Sequence, residues 1–316
     1  MTTIDALREF AVDKSNFRNT QTYIDFAYRY TDFVDDKLQA TVIAQNNRKY
    51  QFFQYLQDGD FQITRPVNNE LFIRSAAMGG EIESFKEALE LVKDNEPGEV
   101  RHRRALKAVI YTLQQSIGCA LDALPSGRSN QARKVNGDLF ERLMLMILQE
   151  TGFECTSGVT KIPVKDEVGV VQTTMNYQHD LILKYDNELK IIGSVKTSSK
   201  DRIDKIFIDK MLHNRLTGID TPHIAIFLND VQRKSARDGS YGISQTFLPG
   251  HFKGYTVSLN PLDGVYFCDI LPNMLTDRLL SENISTIDNL FFDDLRPLLS
   301  RKGDPLDEVI IEEIAV

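Results

Sequence analysis

Residues suited to covalent staples and metal clusters are scarce in this chain. Its three cysteines, Cys119, Cys155 and Cys268, are odd in number and widely spaced. That argues against a disulfide framework and a cysteine-based zinc site, and is expected of reduced thiols in a cytoplasmic protein. Five histidines are scattered without HxH or HxxxH spacing, so a zinc enzyme is not expected and each histidine is read as structural. There is no glycine-rich phosphate loop and no Gly-x-Ser-x-Gly elbow. No apolar run approaches the ~20 residues that span a bilayer, so no membrane partner is expected. The opening residues, MTTIDALREFAVDKSNF, lack a basic stretch followed by an apolar core, and no secretory signal is read there. Internal repeats and low-complexity tracts are also missing.

What is present is an ordinary globular composition over 316 residues, 42% apolar and 26% charged. The length allows two domains or one elaborated domain with a sizeable core. The net charge of -8 argues at first sight against a nucleic-acid partner. The charge is unevenly placed, however. Residues 190–215 hold seven Lys or Arg against three Asp, a local +4, and residues 231–254 hold four against one, a local +3. Residues 274–316 hold four basic against ten acidic residues, a local -6. A basic face backed by an acidic exterior suits a polyanion, because phosphate contacts answer to the local field rather than to net charge.

The most informative stretch is HDLILKYDNELKIIGSVKTSSKDR, residues 179–202. Two short β-branched, apolar segments flank the turn cluster Asp186-Asn187-Glu188, which predicts a β-hairpin. With the turn at Asp186-Asn187, Asp180 falls across from residue 193 or 194. Cross-strand neighbours are about 5 Å apart, and residues i and i+2 share a face. Asp180, Ser194 and Lys196 can therefore project together from one end of the hairpin, and a polar, basic run to Arg202 follows them into a helix.

Asp180 followed after a hairpin by Ser194-Val195-Lys196 resembles the active-site signature of the PD-(D/E)XK nuclease superfamily. The continuation Lys196-Thr-Ser-Ser-Lys-Asp-Arg202 resembles type II restriction endonucleases. The resemblance implies that Asp180 holds Mg²⁺, a hard cation bound through one or two carboxylates with room for phosphate and water, and that Lys196 orients or polarises the attacking water. The chain departs from the pattern twice. His179 stands where a proline is usual, and Ser194 stands where the second carboxylate should be. Some restriction endonucleases that this chain resembles carry the same Ser-x-Lys and recruit an acid from a neighbouring helix, which the resemblance implies here. The candidates are Glu141, Glu188, Asp201, Asp204 and Asp209, with Glu141 ranked first as a metal ligand and Asp209 second, because the Gly137-x-x-Phe140-Glu141 helix resembles the one that precedes the catalytic sheet in many restriction endonucleases.

Along the chain, residues 1–125 read as mainly helical, for DNA binding or dimerisation, with residues 50–60 ending in a turn and residues 69–74 either a strand or a helix start. Residues 124–134 form a Pro/Gly/Ser-rich break with the basic end Arg133-Lys134, before a helix whose inward face is Leu139, Phe140, Leu143, Met144, Ile147 and Leu148. Residues 153–164 read as a strand, residues 169–175 as another strand or ribbon, residues 201–215 as an amphipathic helix with Ile203, Ile206, Phe207, Met211 and Leu212 inward, and residues 223–228 as a buried strand. Residues 229–242 read as a long polar loop in which Gln232, Arg233, Lys234 and Arg237 contact DNA bases or phosphates. Lys200 and Arg202 are assigned to the DNA backbone, and residues 264–270 to the last sheet strand. The fold class expected is α/β, a mixed-sheet restriction-endonuclease-like core over residues 126–272, flanked by helices, with an acidic extension over residues 273–316. The function implied by the resemblance is Mg²⁺-dependent, site-specific hydrolysis of double-stranded DNA by a homodimer, with a cognate DNA methyltransferase sharing the recognition site. The alternatives are a structure-specific or repair nuclease of the same superfamily and a catalytically inactive DNA-binding protein.

Overall fold

The computed structural model describes residues 3–57, 59–200, 202–234, 241–305 and 310–314. By contact the chain divides into two units, Met1–Leu143 with Leu228–Thr246, and Met144–Phe227 with Phe247–Val316. In the first unit, helices α1 (Ile4–Val12) and α2 (Thr20–Asp36) come before a small sheet. Asn19 and Thr22 start α2 with a capping box. Its stripe of Tyr23, Phe26, Ala27, Tyr30, Phe33 and Val34 is buried at helical spacing.

Strands β1 (Ala40–Ile43), β2 (Tyr50–Gln57) and β3 (Asp60–Ile63) pair antiparallel in that order, and β4 (Val67–Asn68) joins β2. Residues 1–125 are mainly helical, as expected, but this sheet within them was not foreseen. The aromatic residues of β2 fit a pleated, half-buried surface better than a helix stripe, and Phe53 of β2 meets Tyr30 and Phe72. Residues 69–74 form a turn rather than either element expected. Helices α3 (Ser75–Asp94) and α4 (Val100–Leu121) follow, and α1, α2 and α3 all pack on α4, which is buried along most of its length.

Helix α5 (Ser129–Glu150) begins eight residues before Gly137, so Arg133 and Lys134 are helical and exposed rather than part of the preceding break. Its inward face is the expected one, with Leu139, Phe140, Leu143, Met144, Ile147 and Leu148 all fully buried. Gly152, at φ +85°, ends it in a conformation that favours glycine.

The second unit is built on a sheet that starts with β5 (Glu154–Lys165), β6 (Val171–Tyr185) and β7 (Glu188–Lys196), antiparallel in succession. The segment expected as a separate ribbon at residues 169–175 is the first part of the long strand β6. Helix α6 (Ile203–Thr217) then crosses over to β8 (His223–Phe227), which is buried throughout and parallel to β7. The chain next contributes β9 (Val231–Arg233) and β10 (Ile243–Gln245) to the first unit, an antiparallel ribbon where a plain loop was expected. The Asn46 side chain holds that ribbon through both the N–H and the carbonyl of Ile243.

Back in the second unit come α7 (Pro249–Ser258) and β11 (Gly264–Phe267), which is parallel to β8. β11 is not the last strand. β12 (Ile284–Thr286) lies beyond it, β13 (Asp304–Pro305) pairs with the start of β7, and β14 (Ile310–Glu313) pairs with β5. The order is β12-β11-β8-β7-β6-β5-β14 with β13 beside β7, half parallel and half antiparallel. The acidic segment after residue 273 therefore supplies strands to the sheet as well as short helices, and its Glu312 and Glu313 pair with Lys161 and Lys184.

Candidate active site

The β6–β7 turn has Asp186 at φ 50° and Asn187 at φ 59°, both left-handed. Two such residues make the tight hairpin turn whose twist matches the strands, and Asp and Asn tolerate that region well. The turn sets the register. After a bulge at Lys190, Ile182 faces Ile192 and Leu181 faces Gly193, and there the ladder stops. On the other edge of β6, Gly158 faces His179 and Thr156 faces Ile182, so Asp180 and Leu181 together oppose the single residue Ser157. This β-bulge bends the strand at Asp180, a device that re-aims side chains and is frequent beside active sites.

Where β6 leaves β7, the Asp180 carboxylate takes the place of the missing strand partner. The Val195 N–H donates to its Oδ2 at 2.8 Å, and Lys196 Nζ donates to the same oxygen at 2.5 Å. The two side chains are 13% and 28% exposed, so the pair is sheltered but still reached by solvent. Among the described residues, no further hydrogen bond is found for Oδ1 of Asp180 or for the Ser194 hydroxyl. Beside the pair, the His179 ring stacks on Tyr177 and meets Thr160 Oγ1 at 2.8 Å through Nε2. Burial, followed by the charges of His213 and Lys205, pushes its pKa down to about 3, so the ring is neutral near pH 7.

Helix α6 covers one face of this sheet. His213 on α6 touches the His223 ring, with centroids 5.3 Å apart, and His223 is the register partner of Ile192. By the two-residue period of a strand, Ser194 and Lys196 share the face of Ile192. Asp209 lies four residues before His213 on α6, which is about 6 Å nearer the helix start. Ser194 lies two residues beyond Ile192 on β7, which is about 6.6 Å nearer the strand end. Because the crossover helix runs back against the strands, these rises put Asp209 at about the level of Ser194. Its side chain is 17% exposed and pairs with Lys205 at 2.5 Å. Its charge, after burial, raises the pKa of Tyr177 on β6.

The other assigned residues lie as follows. Glu141 sits half-buried on the part of α5 that belongs to the first unit, whereas Asp180, Ser194, Lys196 and Asp209 belong to the second. Glu188 is committed to Lys190 and the Gly303 N–H at the turn end of β7, roughly 20 Å of strand from Ser194. Asp204 is in the first turn of α6, and Asp201 lies outside the described residues. Lys200 and Arg202 are exposed at the start of α6 in the second unit. Arg133 and Lys134 on α5, and Gln232, Arg233 and Lys234 on the ribbon, are exposed in the first unit, while Arg237 lies outside the described residues. Sequence reasoning missed the Val195 N–H bond and the bulge at Asp180, which no side-chain pattern announces. It also missed the inward positions of α6, where Lys210 and His213 are buried while Met211 and Leu212 are only partly so.

Among the described residues, no group of three or more His, Cys, Asp or Glu is set to hold a metal ion. The oxygens at the hairpin end nevertheless suit Mg²⁺, which needs only one or two protein carboxylates. Asp180 Oδ1 has no partner among the described residues, the Ser194 hydroxyl is a further neutral oxygen, and by helix and strand rise Asp209 falls at about its level.

No known family model matches the chain, and no curated protein matches it in sequence. Its fold is nevertheless that of a type II restriction endonuclease, an α/β architecture with a mixed sheet and flanking helices, as expected. The crystal structure of the Type IIP restriction endonuclease Kpn2I aligns with a TM-score of 0.68 at 19% identity, over 96% of this chain and 99% of that one. A complex of the restriction endonuclease PspGI with substrate DNA aligns more loosely, with a TM-score of 0.39 at 14% identity over 70% of this chain and 93% of that one.

Proposed function

We propose that this protein is a type II site-specific endodeoxyribonuclease that hydrolyses phosphodiester bonds of double-stranded DNA and requires Mg²⁺. The observation that carries the reading is the Lys196–Asp180 contact at the point where β6 and β7 part, set in a restriction endonuclease fold along almost the whole chain. Asp180 presents its Oδ1 as an anionic ligand, and Lys196 holds and polarises the water that attacks phosphorus in line with the leaving oxygen. Mg²⁺ held by Asp180 and a second acid would supply acidification of water and charge compensation at the phosphoryl oxygens. Asp209 is the acid we assign in place of the carboxylate absent at Ser194, because it reaches that level of β7 from within the same unit. Glu141 is the runner-up.

Lys200 and Arg202 at the start of α6, with Arg133, Lys134 and the Gln232–Lys234 ribbon, supply contacts to DNA under this reading. A duplex cut on both strands is most simply made by two copies related by a two-fold axis, so the enzyme is a homodimer. A cognate methyltransferase protecting the same site, and a cytoplasmic location, complete the proposal.

The test is incubation of purified protein with a mixture of long duplex DNAs in Mg²⁺, alongside Asp180→Ala and Lys196→Ala. The wild type should give discrete bands, and each variant should lose about 10²–10³-fold or more in rate. Intact DNA throughout, with methyl-free substrate included, would favour a DNA-binding protein that has lost its metal. Cleavage of branched DNA alone would favour a structure-specific nuclease.

A further inference from the structure

Helix α6 is seated on polar anchors. Lys210 and His213, on its inward face, are 2% and 1% exposed, where an amphipathic helix would normally place apolar side chains. Apolar contact is non-directional, whereas a hydrogen bond fixes direction as well as distance. Lys210 Nζ donates to Asp263 Oδ2 and to the Pro261 carbonyl, both at 2.7 Å, and Asp263 Oδ2 also accepts the His223 N–H at the start of β8. His213 Nε2 meets Asp304 Oδ2 at 2.6 Å, and the Thr221 hydroxyl donates to the same oxygen at 2.5 Å.

Asp304 is itself fully buried and pairs through its backbone with Leu189 at the start of β7. The strap that carries it is closely fitted. Lys190 Nζ donates to the Arg301 carbonyl at 2.9 Å, and a Cβ at Gly303 would lie 2.2 Å from the Leu189 carbonyl oxygen. Only glycine permits that approach. Asp304 Oδ1 and His213 Nδ1 are buried without hydrogen-bond partners among the described residues. A buried polar pair left part-satisfied is a poor source of stability, and fixing one arrangement is the better-attested use of such pairs.

Asp209 is next to Lys210 and one turn before His213, so the two anchors set its height and rotation. We propose that Asp304 is a positioning residue for the metal centre. Through His213 it holds α6 in the one register that aims Asp209 at the oxygens of Asp180 and Ser194. This rests on the assignment of Asp209 as the second acid. A slip of one residue would move Asp209 by about 1.5 Å along the helix axis and turn it by about 100°, enough to remove it from a metal site.

The test reads metal binding directly, without catalysis. Mn²⁺ takes the same oxygen-rich octahedral coordination, and its binding to the full-length protein is followed by the paramagnetic signal of the free ion. Asp209→Ala and Asp304→Ala should each weaken Mn²⁺ binding by about 10–100-fold. The double variant should lose no more than Asp209→Ala alone, because both remove the same ligand. Asp304→Asn, which keeps an oxygen for His213 and Thr221, should stay close to wild type. A folded Asp304→Ala, checked by circular dichroism, that binds Mn²⁺ normally while Asp209→Ala does not would overturn the positioning role and leave the acid assignment standing. Normal binding by Asp209→Ala would overturn the acid assignment and this inference with it. If Asp304→Ala does not fold, His213→Gln takes its place with the same two outcomes.

Discussion

His179 stands where the nuclease signature usually has proline, and its burial gives the residue a cost that the proline would not have. Its pKa is lowered from the ordinary 6.5 to about 3, by burial first and then by the charges of His213 and Lys205. Between those two values the unfolded chain binds a proton that the folded chain refuses. The stability contributed by the neutral ring is therefore complete above pH 6.5 and is lost as the pH falls, at up to about 1.4 kcal/mol per pH unit. His223, lowered by burial and by the charge of His213, adds to the slope. The melting temperature should fall between pH 7 and pH 5. His179→Gln, with an amide for Thr160 and no titration, should flatten that dependence. An unchanged slope in His179→Gln would place the acid sensitivity elsewhere.

The hairpin turn is the element on which the site's register depends. A slip of one residue in β7 would carry Ser194 and Lys196 to the opposite face of the sheet. Asn187→Gly should be tolerated or mildly stabilising. Asn187→Val, forced into a left-handed conformation, should cost about 1–2 kcal/mol in urea unfolding and slow cleavage. Gly193→Ala should be worse for the site, because its Cβ would lie 2.9 Å from that of Leu181, the last pair before the strands part; an overpacking cost of about 1–3 kcal/mol is expected. The hairpin was legible from sequence because strand periodicity and turn chemistry are local signals. The bulge at Asp180 was not, since it is a property of the β5–β6 pairing, and β5 reads only as a strand. The inward faces of Lys210 and His213 were hidden for a related reason. Their partners, Asp263 and Asp304, are 53 and 91 residues away in the chain, and nothing in helical spacing shows that a lysine will be buried beside them. The first unit's sheet was missed because aromatic strands such as β2 and helical core segments share composition.

For the whole molecule, charge distribution matters more than total charge. Under the proposed function, a chain of net charge -8 binds DNA through local basic segments, and its affinity should fall as salt rises, linearly in log affinity against log salt. Lys200→Ala and Arg202→Ala should each lower that slope by about 1, and Gln232→Ala should leave it unchanged while altering sequence preference. Light scattering should give about twice the 36.0 kDa chain mass; a monomer would remove the simplest route to cutting both strands.

The pairing of Leu189 with Asp304 joins residues 115 apart (304 − 189). During synthesis at about 5–20 residues per second, roughly 6–23 s separate the β6–β7 hairpin from the strap that seats α6 against it. Over that interval a growing chain carries Asp180 and Lys196 without the anchor for their neighbouring helix. Under the proposed function, a ribosome stalled before residue 304 would hold the hairpin residues of a nuclease without the anchor of α6.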